Sequence, residues 1–122
     1  MRKEFLFDTN VLIYFFEGNK DAAKLLEDNE FFLSSISFVE LLSNLQMLPQ
    51  RREVIKDFLL TTTIIQTNMD ICEKASKLRL SYAIKLPDAI IAATAQYLGL
   101  PFITADAAFF KIKEIEIIPF TK

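Results

Sequence analysis

Histidine is absent from these 122 residues, and cysteine occurs once, as Cys72. Those two absences remove much of the usual catalytic chemistry. A Ser-His-Asp triad cannot be built. Neither can a Cys-His pair, nor general acid–base catalysis through imidazole. A structural zinc site would lack its customary ligands. No intrachain disulfide can form, which suits a reducing cytosol, and a cytoplasmic protein is expected. Glycine is scarce, with two residues and no glycine-rich loop, so neither a phosphate-binding P-loop nor a dinucleotide fingerprint is present. Excess positive charge is missing too: the formal net charge is −2. A protein that held nucleic acid by bulk charge would be basic. Any such contact here has to be local or metal-assisted.

Long hydrophobic runs are also interrupted. Met1-Arg2-Lys3 resembles the start of a signal peptide, but Glu4, Asp8 and Glu17 spoil the apolar stretch that should come after it. The uncharged run from Ala89 to Ala105 approaches membrane-span length, yet Gln96 and the "GLP" of Gly99 to Pro101 divide it into helix, turn and strand. A soluble protein is expected.

What the chain does contain is apolar bulk. Hydrophobic residues make up 52%, including 12 Phe, enough for a core, and one domain over residues 1–122 is expected. Short apolar runs alternate with helical patterns. Strands are predicted at 4–7, 31–35, 62–67, 101–104 and 114–120. Helices are predicted over 10–18, 20–30, 37–48, 50–60, 69–84 and 88–98. Ala23, Leu25 and Leu26 should face inward on the second of these, and Val54, Ile55, Phe58 and Leu59 recur at helical spacing on the fourth. Asn68 is a candidate cap, Pro87 a helix start and Gly99 a helix stop. This alternation predicts an α/β fold, a mainly parallel sheet covered on both faces.

Without histidine, carboxylates are the main reactive groups left. "EFLF" runs into Asp8, and "PFIT" runs through Ala105 into Asp106. In a parallel sheet these strand ends share one edge, where ligand sites form beside the switch in strand order. Each Asp could merely cap the next helix or turn; the similar ending of two strands sets a functional edge on an equal footing with that reading. Asp88 opens the apolar helix "AIIAATA", whose small residues allow close packing on the strands; an acid there also suits the helix dipole. Glu40 lies in "SFVELL", with Ser37, Ser43 and Asn44 on its helical face. Two unit charges about 4 Å apart repel by about 4 kcal/mol at an effective dielectric near 20. Several acids in one pocket therefore need a cation or raised pKa values. All-oxygen ligands favour Mg²⁺, with Mn²⁺ as a substitute. Such ions activate water and stabilise a phosphodiester under attack, with no histidine required.

The stretches "FLFDTNVLIYFF", "SSISFVELL" and "KLPDAIIAATAQYLGLPFITADAAFF" resemble the successive motifs of PIN-domain ribonucleases, in particular the VapC-type toxins of prokaryotic toxin–antitoxin pairs. The resemblance covers nearly the whole chain, and its third block is the most specific. It implies a three-layer α/β/α fold around a five-stranded parallel sheet. It implies Mg²⁺-dependent endonucleolytic cleavage of RNA, a homodimer, and a cognate antitoxin protein that blocks the site. By position, Asp8, Glu40, Asp88 and Asp106 match the family's metal-binding acids. Thr9 and Asn10 match the residues after the first acid, Asn10 fixing the loop or a metal-bound water. Thr104 would hold the Asp8 side of the site by hydrogen bonding.

Among the cations, Arg51, Arg52, Lys77, Arg79, Lys111 and Lys113 read first as solvated surface. Lys85, just before the Asp88 helix, is the best candidate for a phosphate contact. Tyr14, Phe15 and Phe16 read as core, or as a groove for an antitoxin helix where exposed. Cys72 reads as inert packing. A receiver-type phosphoacceptor would want acid pairs that "FLFDTN" and "TIIQTN" do not supply, and a DxD phosphotransferase fails because Asn10 stands at the second acid. The remaining alternative is a metal-binding interaction module of the same fold without catalysis.

Overall fold

The strands of this chain are short, three to five residues each, and their alternating side chains separate two cores. The computed structural model describes residues 2–122; Met1, the first residue of the Met1-Arg2-Lys3 stretch, lies outside them. Along the chain run β1 (Glu4–Phe7), α1 (Thr9–Phe16), α2 (Lys20–Asp28), β2 (Glu30–Ser34), α3 (Ser35–Leu42), α4 (Pro49–Leu59), β3 (Thr63–Ile65), α5 (Met69–Ser81), α6 (Leu86–Leu98), β4 (Phe102–Thr104), a 3-10 turn (Ala107–Phe109) and β5 (Ile117–Pro119). The strands form one five-stranded sheet in the order β3-β2-β1-β4-β5. Every pairing is parallel.

Period-2 alternation assigns each strand residue to a face. Leu6 and Phe102 join Ile71, Ala75 and Leu78 of α5 and the buried residues of α6 in one core. Phe5, Phe7 and Ile103 point the other way, into a core with Val11, Leu12, Leu26, Leu41, Ile55 and Leu59 from α1 to α4. The molecule is thus a three-layer α/β/α sandwich. Each fully buried Leu, Ile or Phe contributes about 1.5–3 kcal/mol from lost water contact. α6 is buried along most of its length, at Ala89, Ile91, Ala92, Ala93, Thr94 and Ala95, because alanines let it lie close against α5 and β2. Pro87 sits in its first turn, where a missing N–H costs nothing. Gly99 ends it at φ 66°, a left-handed conformation that favours glycine.

Several boundaries differ from the sequence-based expectation. The helix predicted over 37–48 occupies Ser35–Leu42. Ser34, predicted within the preceding strand, ends it and caps α3 through a 3.1 Å bond from the Ile36 N–H. Beyond Leu42, Ser43 Oγ bonds back to the Val39 carbonyl and Asn44 Oδ1 accepts from the Gln46 N–H. These side chains compete with the helical backbone. The helix predicted to reach residue 84 stops at Ser81, where Tyr82 turns extended and bonds elsewhere. β5 is shorter than 114–120. Val54 is exposed, leaving Ile55 and Leu59 as the buried residues of α4. Ala22, not only Leu26, is fully buried on α2. Cys72 is exposed and packs into neither core, because the buried stripe of α5 runs through Ile71, Ala75 and Leu78. No helix among the described residues is long and apolar enough to cross a membrane.

Candidate metal centre at the carboxyl edge of the sheet

In this strand order β1 lies beside both β2 and β4. The chain leaves β1 for the β2 side and returns on the other flank as β4, so the switch in direction falls between β1 and β4. Asp8 follows β1 and Asp106 closely follows β4, at the edge where ligands bind in open parallel sheets. Each acid also caps the element after it. The Thr9 N–H donates to Asp8 Oδ1 at 2.8 Å, and the Ala108 N–H donates to Asp106 Oδ1 at 2.9 Å. Capping accounts for one oxygen of each carboxylate, not for the rest of the environment.

Asp8 is only 5% exposed. Thr104 donates its hydroxyl to Asp8 Oδ2 at 2.6 Å, and Asn10 Nδ2 donates to the same oxygen at 3.0 Å. Thr104 Oγ1 also accepts from the Asp106 N–H at 3.0 Å. This single hydroxyl therefore ties together the ends of β1 and β4. Asn10 Oδ1 accepts from the Ala105 N–H at 3.3 Å, adding a second strap across the same gap. Despite these donors, the Asp8 pKa is raised from 3.8 to about 6. Burial is the main cause; the bonds from Thr104 and Thr9 oppose it, and the charges of Asp88 and Glu40 add to it.

Glu40 comes from α3, and its position is set by a buried hydroxyl pair. Thr9 Oγ1 lies 2.6 Å from Glu40 Oε1 and 2.8 Å from Ser37 Oγ. A hydroxyl carries one proton. It goes to the carboxylate, and Ser37 donates in turn to Thr9. Ser37 is completely buried. Its only signal in the sequence is the i, i+3 spacing from Glu40, two polar residues on one face of an otherwise apolar helix, and that spacing does not reveal the support it gives.

Asp88 stands in the first turn of α6 and is partly buried. It makes no side-chain hydrogen bond among the described residues. Its pKa is raised by burial first, then by Asp106 and by Glu40, while Lys85 pulls it down. The four acids, from four separate segments, thus lie in one electrostatic field: Asp8 responds to Asp88 and Glu40, and Asp88 responds to Asp106 and Glu40. Such coupling requires proximity, because water screens distant charges.

As placed, no three carboxylates among the described residues close around a single point. Glu40 is turned toward Thr9 and Asp106 toward Ala108. Each still has a second oxygen without a hydrogen bond among the described residues, and Asp88 has two. The donor set is wholly oxygen, and neighbouring carboxylates raise the proton affinity of Asp8 and Asp88, so its chemistry fits a hard divalent cation of the Mg²⁺ or Mn²⁺ kind. Lys85, at the N-cap of α6, is exposed.

Beside Glu40, a groove of about 270 Å³ runs between α1, α3 and α4, lined by Ile13, Phe16, Leu41, Met47, Arg51 and Ile55 among others. Ile13 is exposed at its rim, whereas Phe15 and Phe16 pack partly into the second core. A larger cleft, about 640 Å³, is lined by Phe15, Phe31, Phe58 and Thr61 to Thr63 and contains none of the four acids.

Comparison with known proteins gives a consistent result. The sequence model of the PIN domain matches residues 5–115. Comparison with curated protein sequences gives no match. Among solved structures, a chain of a toxin–antitoxin complex from Klebsiella pneumoniae is 35% identical, with 93% of this chain and 94% of that chain covered and a TM-score of 0.81. A chain of VapBC2 from Rickettsia felis, solved bound to a DNA fragment from its promoter, is 21% identical over 97% and 99%, with a TM-score of 0.84. A chain of DNA-bound VapBC from Salmonella typhimurium is 23% identical over 98% of both chains, with a TM-score of 0.78.

Proposed function

The chain belongs to the PIN-domain family and is similar to chains of VapC-type toxin–antitoxin complexes, and from that premise we propose that it is the toxin of such a pair, a Mg²⁺-dependent endoribonuclease. The observation that supports this reading most is the electrostatic coupling of Asp8, Glu40, Asp88 and Asp106 at the topological switch of the sheet. Acids drawn from distant segments raise the proton affinity of two of their number: Asp88 and Glu40 raise that of Asp8, and Asp106 and Glu40 raise that of Asp88. That arrangement destabilises the protein unless it serves a cation.

Asp8, Glu40, Asp88 and Asp106 would hold Mg²⁺. When bound, the ion supplies Lewis acidity and neutralises charge on the phosphodiester. The chain's own residues do the rest. Thr104, Asn10 and the Thr9 N–H fix Asp8, so that its carboxylate meets the substrate without reorganising. Thr9 and Ser37 hold Glu40. Asp88 makes no side-chain hydrogen bond among the described residues, so both its oxygens stay open to the cation and to the attacking water, and the proton that this water loses is returned to the 3′ oxygen as its P–O bond breaks. Lys85 faces the phosphate backbone beside it.

The groove beside Glu40 suits an apolar helix of an antitoxin, and the active form is a homodimer in the cytoplasm. The test is incubation of the purified protein with single-stranded RNA. Cleavage with Mg²⁺ that stops on chelation, and is lost in Asp8→Asn, supports the reading. Mg²⁺-induced stabilisation without cleavage would identify a metal-binding interaction module instead. No stabilisation and no cleavage would exclude both.

A further inference from the structure

The net charge of −2 conceals a division of the chain. Residues 74–113 hold six cations and only two acids, Asp88 and Asp106. The rest holds eight cations and fourteen acids. The positive stretch spans most of α5, the whole α5–α6 hairpin, and the segment after the 3-10 turn. Both of its acids belong to the candidate metal centre.

Within that stretch, Lys74 and Lys77 are paired with Asp70 and Glu73 one turn away. Arg79, Lys85, Lys111 and Lys113 make no ion pair among the described residues, and all four are exposed. Arg79 and the Lys111–Lys113 segment lie about Tyr82, beside the carboxylate of Glu114, and Lys85 follows Tyr82 by three positions. Tyr82 donates its hydroxyl to Glu114 Oε1 at 2.6 Å and accepts from the Lys113 N–H at 3.1 Å, fastening the 111–114 segment to the end of α5. Arg79 reaches the Ile84 carbonyl beneath the same turn. Buried Ile112 sets Lys111 and Lys113 on the solvent side. The chain also bounds their distance from the acids: Lys85 stands three positions before Asp88 and Lys111 five positions after Asp106, Cα spans of at most about 11 Å and 18 Å. Lys85 is close enough to Asp88 for its charge to favour the ionised carboxylate. On the opposite flank, by contrast, the cations are balanced by acids: Glu17 after α1 pairs with Lys122, Asp28 of α2 pairs with Lys24, and Asp21 and Glu27 stand exposed beside Lys20.

We propose that single-stranded RNA leaves the acidic edge over the α5–α6 turn, its phosphates tracked by Lys85, Lys111, Lys113 and Arg79 around Tyr82, and not over α1 and α2. This rests on the ribonuclease reading and adds a direction to it. Acids at the reaction centre repel the strand they must cut. A row of unpaired cations on one side offsets that repulsion and sets which flank carries the strand.

The experiment measures binding of a labelled single-stranded RNA by fluorescence anisotropy in EDTA, across a salt series. Wild type is compared with a Lys85→Gln/Lys111→Gln/Lys113→Gln triple variant. A charge-matched control carries Arg51→Gln/Arg52→Gln/Lys56→Gln on α4. Each phosphate contact on a single strand contributes about 0.7 to the log–log salt slope. The first triple variant should therefore lose about 2 from that slope and on the order of 50-fold in affinity at 0.15 M salt, with an unchanged melting temperature, while the control stays near wild type. Equal weakening in both variants reduces the effect to net charge and overturns the proposal, as does no weakening in the first. Tight binding of polyglutamate in place of RNA assigns the ridge to an acidic protein segment and also overturns it. Wild-type cleavage with Mg²⁺, measured in parallel, separates the two claims: cutting without ridge dependence sinks only the path, and failure to cut any RNA sinks both.

Discussion

Replacing Asp8 by asparagine should stabilise the protein in EDTA at pH 7.5. Asp8 is 5% exposed, and its pKa is raised from 3.8 to about 6. At 1.36 kcal/mol per pH unit, keeping this carboxylate ionised in the fold costs about 3 kcal/mol. The sign comes from proton linkage. Between pH 3.8 and about 6 the folded protein holds more protons at Asp8 than the unfolded chain does. Stability is therefore greatest below the unfolded pKa, falls as pH rises through the folded value, and levels off above it. Asparagine removes the charge and, with its oxygen in the place of Oδ2, still accepts from the Thr104 hydroxyl and Asn10 Nδ2. Its NH₂ group, however, meets the Thr9 N–H, donor against donor, with a loss of about 1 kcal/mol. The net gain is about 2 kcal/mol, or roughly 6–10 °C in melting temperature for a chain of this size. Urea unfolding of both proteins at pH 4, 5, 6 and 7.5 checks it: the difference should grow with pH and flatten above 6.5. In Mg²⁺ the order should reverse, because ligand at a hundredfold excess over Kd stabilises wild type by about 2.7 kcal/mol and leaves the variant unmoved. A variant less stable than wild type at pH 7.5 in EDTA, or a difference independent of pH, would refute the account of Asp8 as a carboxylate held ionised against its surroundings.

Other outcomes depend on single contacts. Thr104→Val removes the 2.6 Å donor to Asp8 and the acceptor for the Asp106 N–H; it should destabilise by about 2–3 kcal/mol in urea at pH 7.5 and lower RNA cleavage at fixed Mg²⁺. Gly99→Ala forces a Cβ onto a residue at φ 66° and should cost about 1 kcal/mol, with cleavage per folded molecule unchanged. Cys72, exposed on α5, should react with a thiol reagent in the native protein about as fast as in denaturant; strong native protection would place it in a core.

The sheet was legible because apolar runs such as "EFLF" and "PFIT" have few other destinations. Its parallel character followed from the alternation of strands with helices. The order of the strands is set by tertiary packing and not by local pattern, yet it is what puts Asp8 beside Asp106. Boundaries were misread where a polar side chain competes with the backbone. Ser43 and Asn44 end α3 well before Pro49, and Ser34, the last residue of β2, caps a helix that already begins at Ser35, inside the predicted strand. Tyr82 reads as helical by pattern, but its hydroxyl bonds across the molecule to Glu114. The stripe on α5 is shifted by one residue from Cys72, and a one-residue rotation of about 100° is enough to move a thiol from core to solvent. Among the site residues, acids at strand ends carry a signal in their own position. Of the hydroxyls that hold them, Thr104 was read only through the family resemblance, and Ser37 looks like any small polar residue until the fold brings Thr9 within 3 Å.

Seating β4 in the interior of the sheet, flanked by β1 and β5, has a consequence for how the protein is made. During synthesis the first acid emerges almost at once, but the neighbour that completes its surroundings lies 96 residues downstream. Until Thr104 has cleared the ribosome and slotted between strands from opposite ends of the chain, Asp8 has only its immediate neighbours Thr9 and Asn10 to hold it. A half-made polypeptide of this kind has no assembled carboxyl edge; the four acids come together only once β4 has taken its place beside β1.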